Sequence, residues 1–353
     1  MESPFLSSID QILRKQQENR EKESLELLQK QWQKNGELTD KAALRHAAFC
    51  SQEFHSRVLS LHPARILVEN LNNVKRAFDI LTRSREAFIE IVGKFHARVM
   101  HDHMETSDFE LALSVATKEV YTYSIAAVSL VQAYRHLLSG NPEIKADYDT
   151  TRVEVFGDSQ IVKFFSHLRN SYNHSRILIA SPHYTITHGD SKEVVSGIAF
   201  DKDAILKNDD WPQETKPFIE AKGDLQVIDL INEHYKMAKR FFDIIIFRTG
   251  IYKNVSYRDY YRILQARTVA GHLSTMGIML QIAVPKNLNP YQYLNAYFTP
   301  EQLLNIYCLK DHTKEQVDYM ISLKDTLGLC DESTRGQLYK LFQVQESEPA
   351  VVT

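Results

Sequence analysis

Between Ala64 and His103 the chain runs without a proline and sets apolar residues at Ile66, Val68, Leu71, Val74, Phe78, Ile80, Leu81, Phe88, Ile91, Val92 and Phe95. Steps of three and four carry such positions along one face of an α-helix, whereas a half-buried strand needs steps of two. A helix this long is stable in water only when other elements cover its apolar face. The same texture fills most of the sequence, because only 12 Gly and 10 Pro punctuate 353 residues. The expected architecture is therefore mainly α, a multi-helix bundle with flanking helical regions and one β-hairpin insertion.

Stop and start signals divide the chain into three expected regions. In residues 1–106, an amphipathic arm over 8–34 stops at Asn35-Gly36, and Thr39-Asp40 caps a second helix running to about Leu61. His62-Pro63 then breaks the chain before the Ala64–His103 stretch. Residues 107–250 hold a helix over Phe109–Leu138, closed by Gly140 and Pro142, and a helix over about Gln160–Tyr172. Within this region, about 176–202 alternates β-branched residues around Gly189-Asp190, the pattern of a hairpin. Gly223-Asp224 opens a long helix from Leu225 to Arg248, which Gly250 stops. Residues 251–353 read as several shorter helices, one starting at Thr299-Pro300-Glu301, before a disordered ESEPAVVT tail.

Composition excludes several classes. The most apolar run, FFDIIIF at 241–247, contains Asp243 and falls far short of the roughly 20 residues needed to cross a bilayer. MESPFLSSIDQ lacks the basic-then-apolar order of a secretory signal, so a cytoplasmic protein is expected. Cys50, Cys308 and Cys330 are odd in number and far apart, which argues against a disulfide framework and for small buried hydrophobes. With a net charge of −3, contact with nucleic acid must come from a local basic cleft. No Gly-rich phosphate loop is present, and His101-x-His103 lacks a third convergent ligand, so neither cofactor nor metal is expected.

The candidate site lies in FFSHLRNSYNHSR, residues 164–176. An Arg followed five positions later by His also occurs at Arg57/His62, Arg98/His103 and Arg267/His272, and 14 histidines make chance matches expected. Context ranks Arg169/His174 first. Five residues on a regular helix separate two side chains by about 140°, so both reach one target only where the helix ends or distorts. Asn173 suits a left-handed cap and strand-like residues follow, which places Arg169 on a last turn and His174 in the exit loop. Asn170 stands one turn before His174 and can steady it. Phe164, Phe165 and Leu168 are the expected core contacts of the same helix.

Helix, LRNSYNH as an RNxxxH motif, short β insertion and long apolar helix together resemble the HEPN superfamily of prokaryotic helical domains, many of them ribonucleases. The resemblance spans about residues 107–250, and YSIAAVSLVQAYRHLL at 123–138 is similar to the small-residue helix, ending in an Arg-containing turn, that packs beside the motif. It implies metal-independent RNA cleavage at a homodimer interface where the Arg and His of two chains face each other, and by association a toxin or phage-defence effector. Arg169, Asn170 and His174 then carry catalysis. Histidine, with an ordinary pKa of about 6.5, can take the 2′-hydroxyl proton or protonate the leaving 5′-oxygen, while Arg holds the phosphate. Tyr172 and Arg176 are candidate RNA-binding residues, the former by stacking on a base. Glu119, on the preceding helix, is a candidate acidic partner, with a surface charge as the alternative. Two positions depart from the family pattern: Ser171 follows the Arg-Asn pair where tyrosine is common, and Arg176 stands where a nucleotide-regulated subfamily has tyrosine. The reading from a different class is a silent HEPN-like adaptor whose helical arms recruit a protein partner or trigger.

Overall fold

The computed structural model describes residues 4–101, 106–174, 180–187, 193–208, 211–223, 225–248, 251–283 and 289–345. The chain is mainly α, as its helical periodicity dictates. In order the elements are α1 (Pro4–Asn35), α2 (Lys41–Ala48), α3 (Gln52–Leu61), α4 (Arg65–His101), α5 (Thr106–Ser139), α6 (Lys145–Phe156) and α7 (Gln160–His174). Strands β1 (Ala180–Thr187) and β2 (Glu193–Phe200), helices α8 (Lys202–Leu206) and α9 (Lys216–Ala221), strand β3 (Leu225–Gln226) and helix α10 (Val227–Arg248) follow. Helices α11 (Val255–Ala283), α12 (Pro300–Tyr307), α13 (Lys314–Lys324) and α14 (Glu332–Leu341) complete the chain. Among the described residues no helix is long and apolar enough to cross a membrane.

Two compact units form, and they differ from the three regions read from the sequence. One joins residues 1–65 to 254–353; the other is 66–253. The first combines both ends of the chain because α11 supplies the surface that α1, α2 and α3 need. Leu25, Leu28 and Trp32 of α1, Leu44 and Ala47 of α2, and Phe54 and Val58 of α3 share one core with Ile263, Ala266 and Val269 of α11. Residues 66–106, expected with the N-terminal region, belong to the other unit, where Phe78 of α4 stacks on Phe242 of α10 at 4.1 Å between ring centroids.

At the heart of the first unit a buried carboxylate gathers donors from distant parts of the chain. Asp259 Oδ2 accepts from Trp32 Nε1 at 2.9 Å, from the Leu38 backbone N–H at 3.1 Å and from His62 Nε2 at 3.3 Å. Its Oδ1 accepts from Arg262 Nη2 at 2.7 Å. The Ala64 backbone N–H donates to His62 Nδ1 at 3.0 Å, which leaves the ring proton on Nε2, facing the carboxylate. His62 and Asp259 have fully buried side chains, so every one of these bonds acts at low dielectric. The Arg57/His62 and Arg267/His272 matches are thereby accounted for in part. Arg57 pairs with Glu21 at 3.1 Å, and Arg267 Nη1 donates to the Ala48 and Cys50 carbonyls at the turn between α2 and α3.

Several boundaries move from their sequence-based positions. The helix expected from Asp40 to Leu61 is two helices, because Ser51 accepts from the Phe54 backbone N–H and starts α3 afresh. Helix α6, not expected at all, is closed by Gly157 at φ +47°, a conformation that glycine adopts without strain. Residues 255–283, expected as shorter pieces, form the single helix α11. Thr299 starts α12 as expected, in a reciprocal capping arrangement with Gln302. The cysteines are free thiols: Cys50 and Cys330 are half-buried and packed against apolar core, near to what was expected, whereas Cys308 is exposed and departs from it. Strands β1 and β2 pair antiparallel from Ala180↔Phe200 to Thr187↔Glu193, as the hairpin reading requires, and β3 adds two residues beside β2. The Gly189-Asp190 turn, Asp224, Gly250 and the ESEPAVVT tail lie outside the described residues.

Burial opposes ionisation of Asp259, but hydrogen bonds from His62 and Trp32, the Arg262 charge and the Leu38 N–H together hold its carboxyl below the ordinary value. The native state therefore binds this proton less readily than the unfolded chain, so the contribution is complete above the unfolded pKa and is lost as pH falls through the native one. Asp259→Ala should cost about 3–5 kcal/mol of unfolding free energy at pH 7, as measured by denaturant titration. Asp259→Asn should flatten the loss of stability below about pH 4 that wild type shows; an unchanged acid limb would contradict the assignment.

Candidate functional site

Helix α7 sets the site through two adjacent phenylalanines that face different neighbours. Phe165 packs edge-on against Tyr123 of α5 at 5.1 Å and lies 4.8 Å from the His234 ring of α10. Phe164, about 100° further round, meets Phe200 of β2, Trp211, and Phe218 of α9. Leu168 completes the buried face, so the three expected core contacts are all found. Arg169 stands one turn beyond Phe165 and so emerges on the α5 side, half-buried; Asn170 stands one turn beyond Ser166 and is exposed.

Arg169 occupies the junction of two open grooves. One, of about 620 Å³, runs between α4 and α5 and is lined by Arg76, Ile80, Ile125, Gln132 and His136 together with Arg169. The second, of about 410 Å³, runs between α5 and α7 over His234 and includes Gln132, Arg135, Lys163, Arg169 and Asn170. Arg169 Nη1 donates to Asn170 Oδ1 at 3.0 Å. Among the described residues no carboxylate lies within ion-pair distance of Arg169. Its guanidinium thus keeps most of its fork of donors for a ligand.

A histidine unremarked in the sequence lies at the floor of this groove. His234 falls in the buried register of α10 with Leu230, Ile231, Ala238 and Phe241, an imidazole set in an apolar stripe. Its Nδ1 is 2.8 Å from the Tyr123 hydroxyl, which also donates to the Ile231 carbonyl at 3.2 Å. Burial alone lowers its pKa to about 4, so the ring is neutral at pH 7. Beside it, Tyr134 has a buried hydroxyl with no partner among the described residues, and burial pushes its pKa well above the ordinary phenol value. His167, further along α7, is lowered by burial, against the pull of Glu214 at 3.7 Å.

The expected helix exit between Arg169 and His174 is not found, because α7 continues through His174. Among the described residues only His312 and Gln343 have positive φ outside glycine, so Asn173 does not form a left-handed cap. Asn and Ser disfavour a helix interior by only a few tenths of a kcal/mol each, too little to end a helix whose neighbours are packed. Ser171 itself is buried there, its hydroxyl without a partner among the described residues. Positions 169 and 174 therefore keep their separation of about 140° within one chain. Only the helical backbone of Tyr172 and His174 is described, and Arg176 lies outside the described residues. Glu119 lines neither groove; its side chain is largely covered and sits 3.3 Å from Lys118.

Comparison with protein-family models, with curated proteins and with solved structures gives no match.

Because folding depresses the His234 pKa, the unfolded chain binds a proton that the native state refuses between pH 6.5 and about 4. Stability that is complete above pH 6.5 should fall across that window, by about 3 kcal/mol if this histidine acts alone. His234→Gln should flatten that slope in urea titrations at pH 7, 5.5 and 4.5; a slope equal to wild type would show that the ring protonates freely in the folded chain.

Proposed function

We propose that the chain is a metal-independent endoribonuclease of the HEPN type that acts as a homodimer, in the manner of a toxin or defence effector. The observation that carries this reading is Arg169: a guanidinium without a carboxylate partner among the described residues, steadied by Asn170, at the meeting point of two open grooves. In the reaction the 2′-oxygen of one nucleotide attacks its own 3′-phosphorus and gives its proton to an imidazole. The phosphorus–5′-oxygen bond breaks, the leaving 5′-oxygen takes a proton, and a 2′,3′-cyclic phosphate remains. Arg169 binds the phosphate and the charge that grows on it. DNA is excluded because it lacks the attacking hydroxyl.

The uninterrupted helix through residue 174 bears on how the imidazole reaches that phosphate. Groups about 140° apart on one helix do not converge on one atom, so His174 of the partner subunit meets the Arg169 of the first chain across a two-fold axis. The same helical backbone favours a second reading, a silent HEPN-like adaptor, if no dimer brings the two together. The two readings part in one assay.

Purified protein should cleave single-stranded RNA in the presence of chelator and leave cyclic phosphate ends. His174→Ala and Arg169→Ala should each lower the rate by about 10²–10⁴-fold while the circular dichroism spectrum is unchanged. Mixing the two variants should restore part of the activity, since a mixed dimer holds one intact pair. Equal cleavage by wild type and both variants would assign the activity to a contaminant and leave the adaptor reading.

A further inference from the structure

The two grooves that meet at Arg169 do not end there. The groove over His234 shares Arg135 and Lys163 with a third, of about 560 Å³, which continues between α5, α6 and α10 to Arg152. Four arginines thus follow one another along connected grooves: Arg76, Arg169, Arg135 and Arg152. Their pairing sets them apart from other arginines of residues 66–253. Arg83 pairs with Asp79, Arg240 with Glu154, and Arg85 donates to Asn232 while lying over the Tyr235 ring. Among the described residues none of the four groove arginines is within ion-pair distance of a carboxylate. Lys163, in the same groove, is held 3.3 Å from Glu214 and so adds little net charge.

In a chain of net charge −3, four unneutralised guanidinium groups in one channel leave a local positive potential that only an anionic ligand relieves. A single small anion would touch one or two of them; a chain of phosphates touches all. The floor beneath is apolar, with Val131 and Val162 shared between the second and third grooves, and suits the faces of unpaired bases. A duplex would keep its bases stacked inward and leave that floor uncovered. Asp149 and Asp158 stand at the Arg152 end, where their negative charge limits the channel.

We infer that the grooves along α5 form a binding track for the phosphodiester backbone of single-stranded RNA, with Arg135 and Arg152 holding the strand on one side of Arg169 and Arg76 holding it on the other. The inference rests on the nuclease reading only in placing the scissile phosphate at Arg169.

The test is fluorescence anisotropy with a labelled, uncleavable 2′-O-methyl oligonucleotide of roughly 12 nucleotides, titrated at several salt concentrations. With four phosphates neutralised, the logarithm of affinity should fall with that of salt at a slope of about −3, and Arg135→Ala/Arg152→Ala should bring it to about −1.4. The same double variant should weaken binding at least ~10-fold at low salt. Lys236→Ala/Lys239→Ala, in the separate basic groove on α10, should leave it unchanged, and a matched duplex should bind more weakly than the single strand. Affinity of the double variant equal to wild type, an equal loss in the α10 control, tighter binding of the duplex, or no binding by wild type would each overturn the track. Cleavage that needs Arg169 but survives with unaltered binding in the double variant would remove the track and leave the nuclease. Binding with the expected slope but no cleavage would do the reverse.

Discussion

The packing of Phe165 between Tyr123 and His234 fixes three helices at once, and the candidate site depends on it. The contact holds α7 against α5 and α10 by apolar burial, of the order of 3–5 kcal/mol if truncated to alanine. The hydrogen bond between Tyr123 and His234 then removes the freedom of the two rings to slide. Among the described residues Arg169, one turn further along α7, has no comparable anchor of its own beyond Asn170. Its position over the grooves is inherited from the aromatic packing below it. A side chain held from beneath and unpaired above is prepared for a ligand without reorganisation, which is how a binding site gains affinity and a catalytic site gains rate.

The other unit is organised by a different force. Its apolar core is assembled from both ends of the chain, and packing area alone does not specify which helix end meets which. Asp259 supplies that specification through directional bonds to Trp32, Leu38 and His62, each from outside its own helix. Each donor comes from a different element or linker, so a shift of any one by a residue would leave a buried charge short of partners, at a cost of kcal/mol. The core makes the unit stable; the carboxylate makes it one arrangement.

Helical periodicity made most of the fold legible, because it reports only on neighbours three and four residues away. The same locality explains what was not legible. The partnership of α11 with α1, α2 and α3 joins positions more than two hundred residues apart, and nothing in residues 255–283 names that partner. The break at Ser51 is marked in the sequence only by a capping serine inside an apolar pattern. At the site, LRNSYNH marks Arg169, Asn170 and His174 as candidates, and the structure sets the first two beside the grooves while describing only the helical backbone of the third. The connection of Arg76, Arg135 and Arg152 along adjoining grooves was invisible, since they come from three helices and their lack of a carboxylate partner among the described residues is a property of the folded surface alone. The helix exit expected after Arg169 failed because weak local preferences do not end a helix whose buried face is packed on two sides.

An RNA strand bound along α5 and α7 with Arg169 in its course would touch both helices in a fixed order. Photo-crosslinking of an oligonucleotide carrying 4-thiouridine at successive positions, followed by mass spectrometry of the peptides, addresses this directly. Crosslinks are expected within residues 128–138 of α5 and 162–170 of α7, moving from one end of the grooves to the other as the probe position changes. Crosslinks that fall instead on residues 254–345, or on the Lys236–Arg240 face of α10, would contradict it.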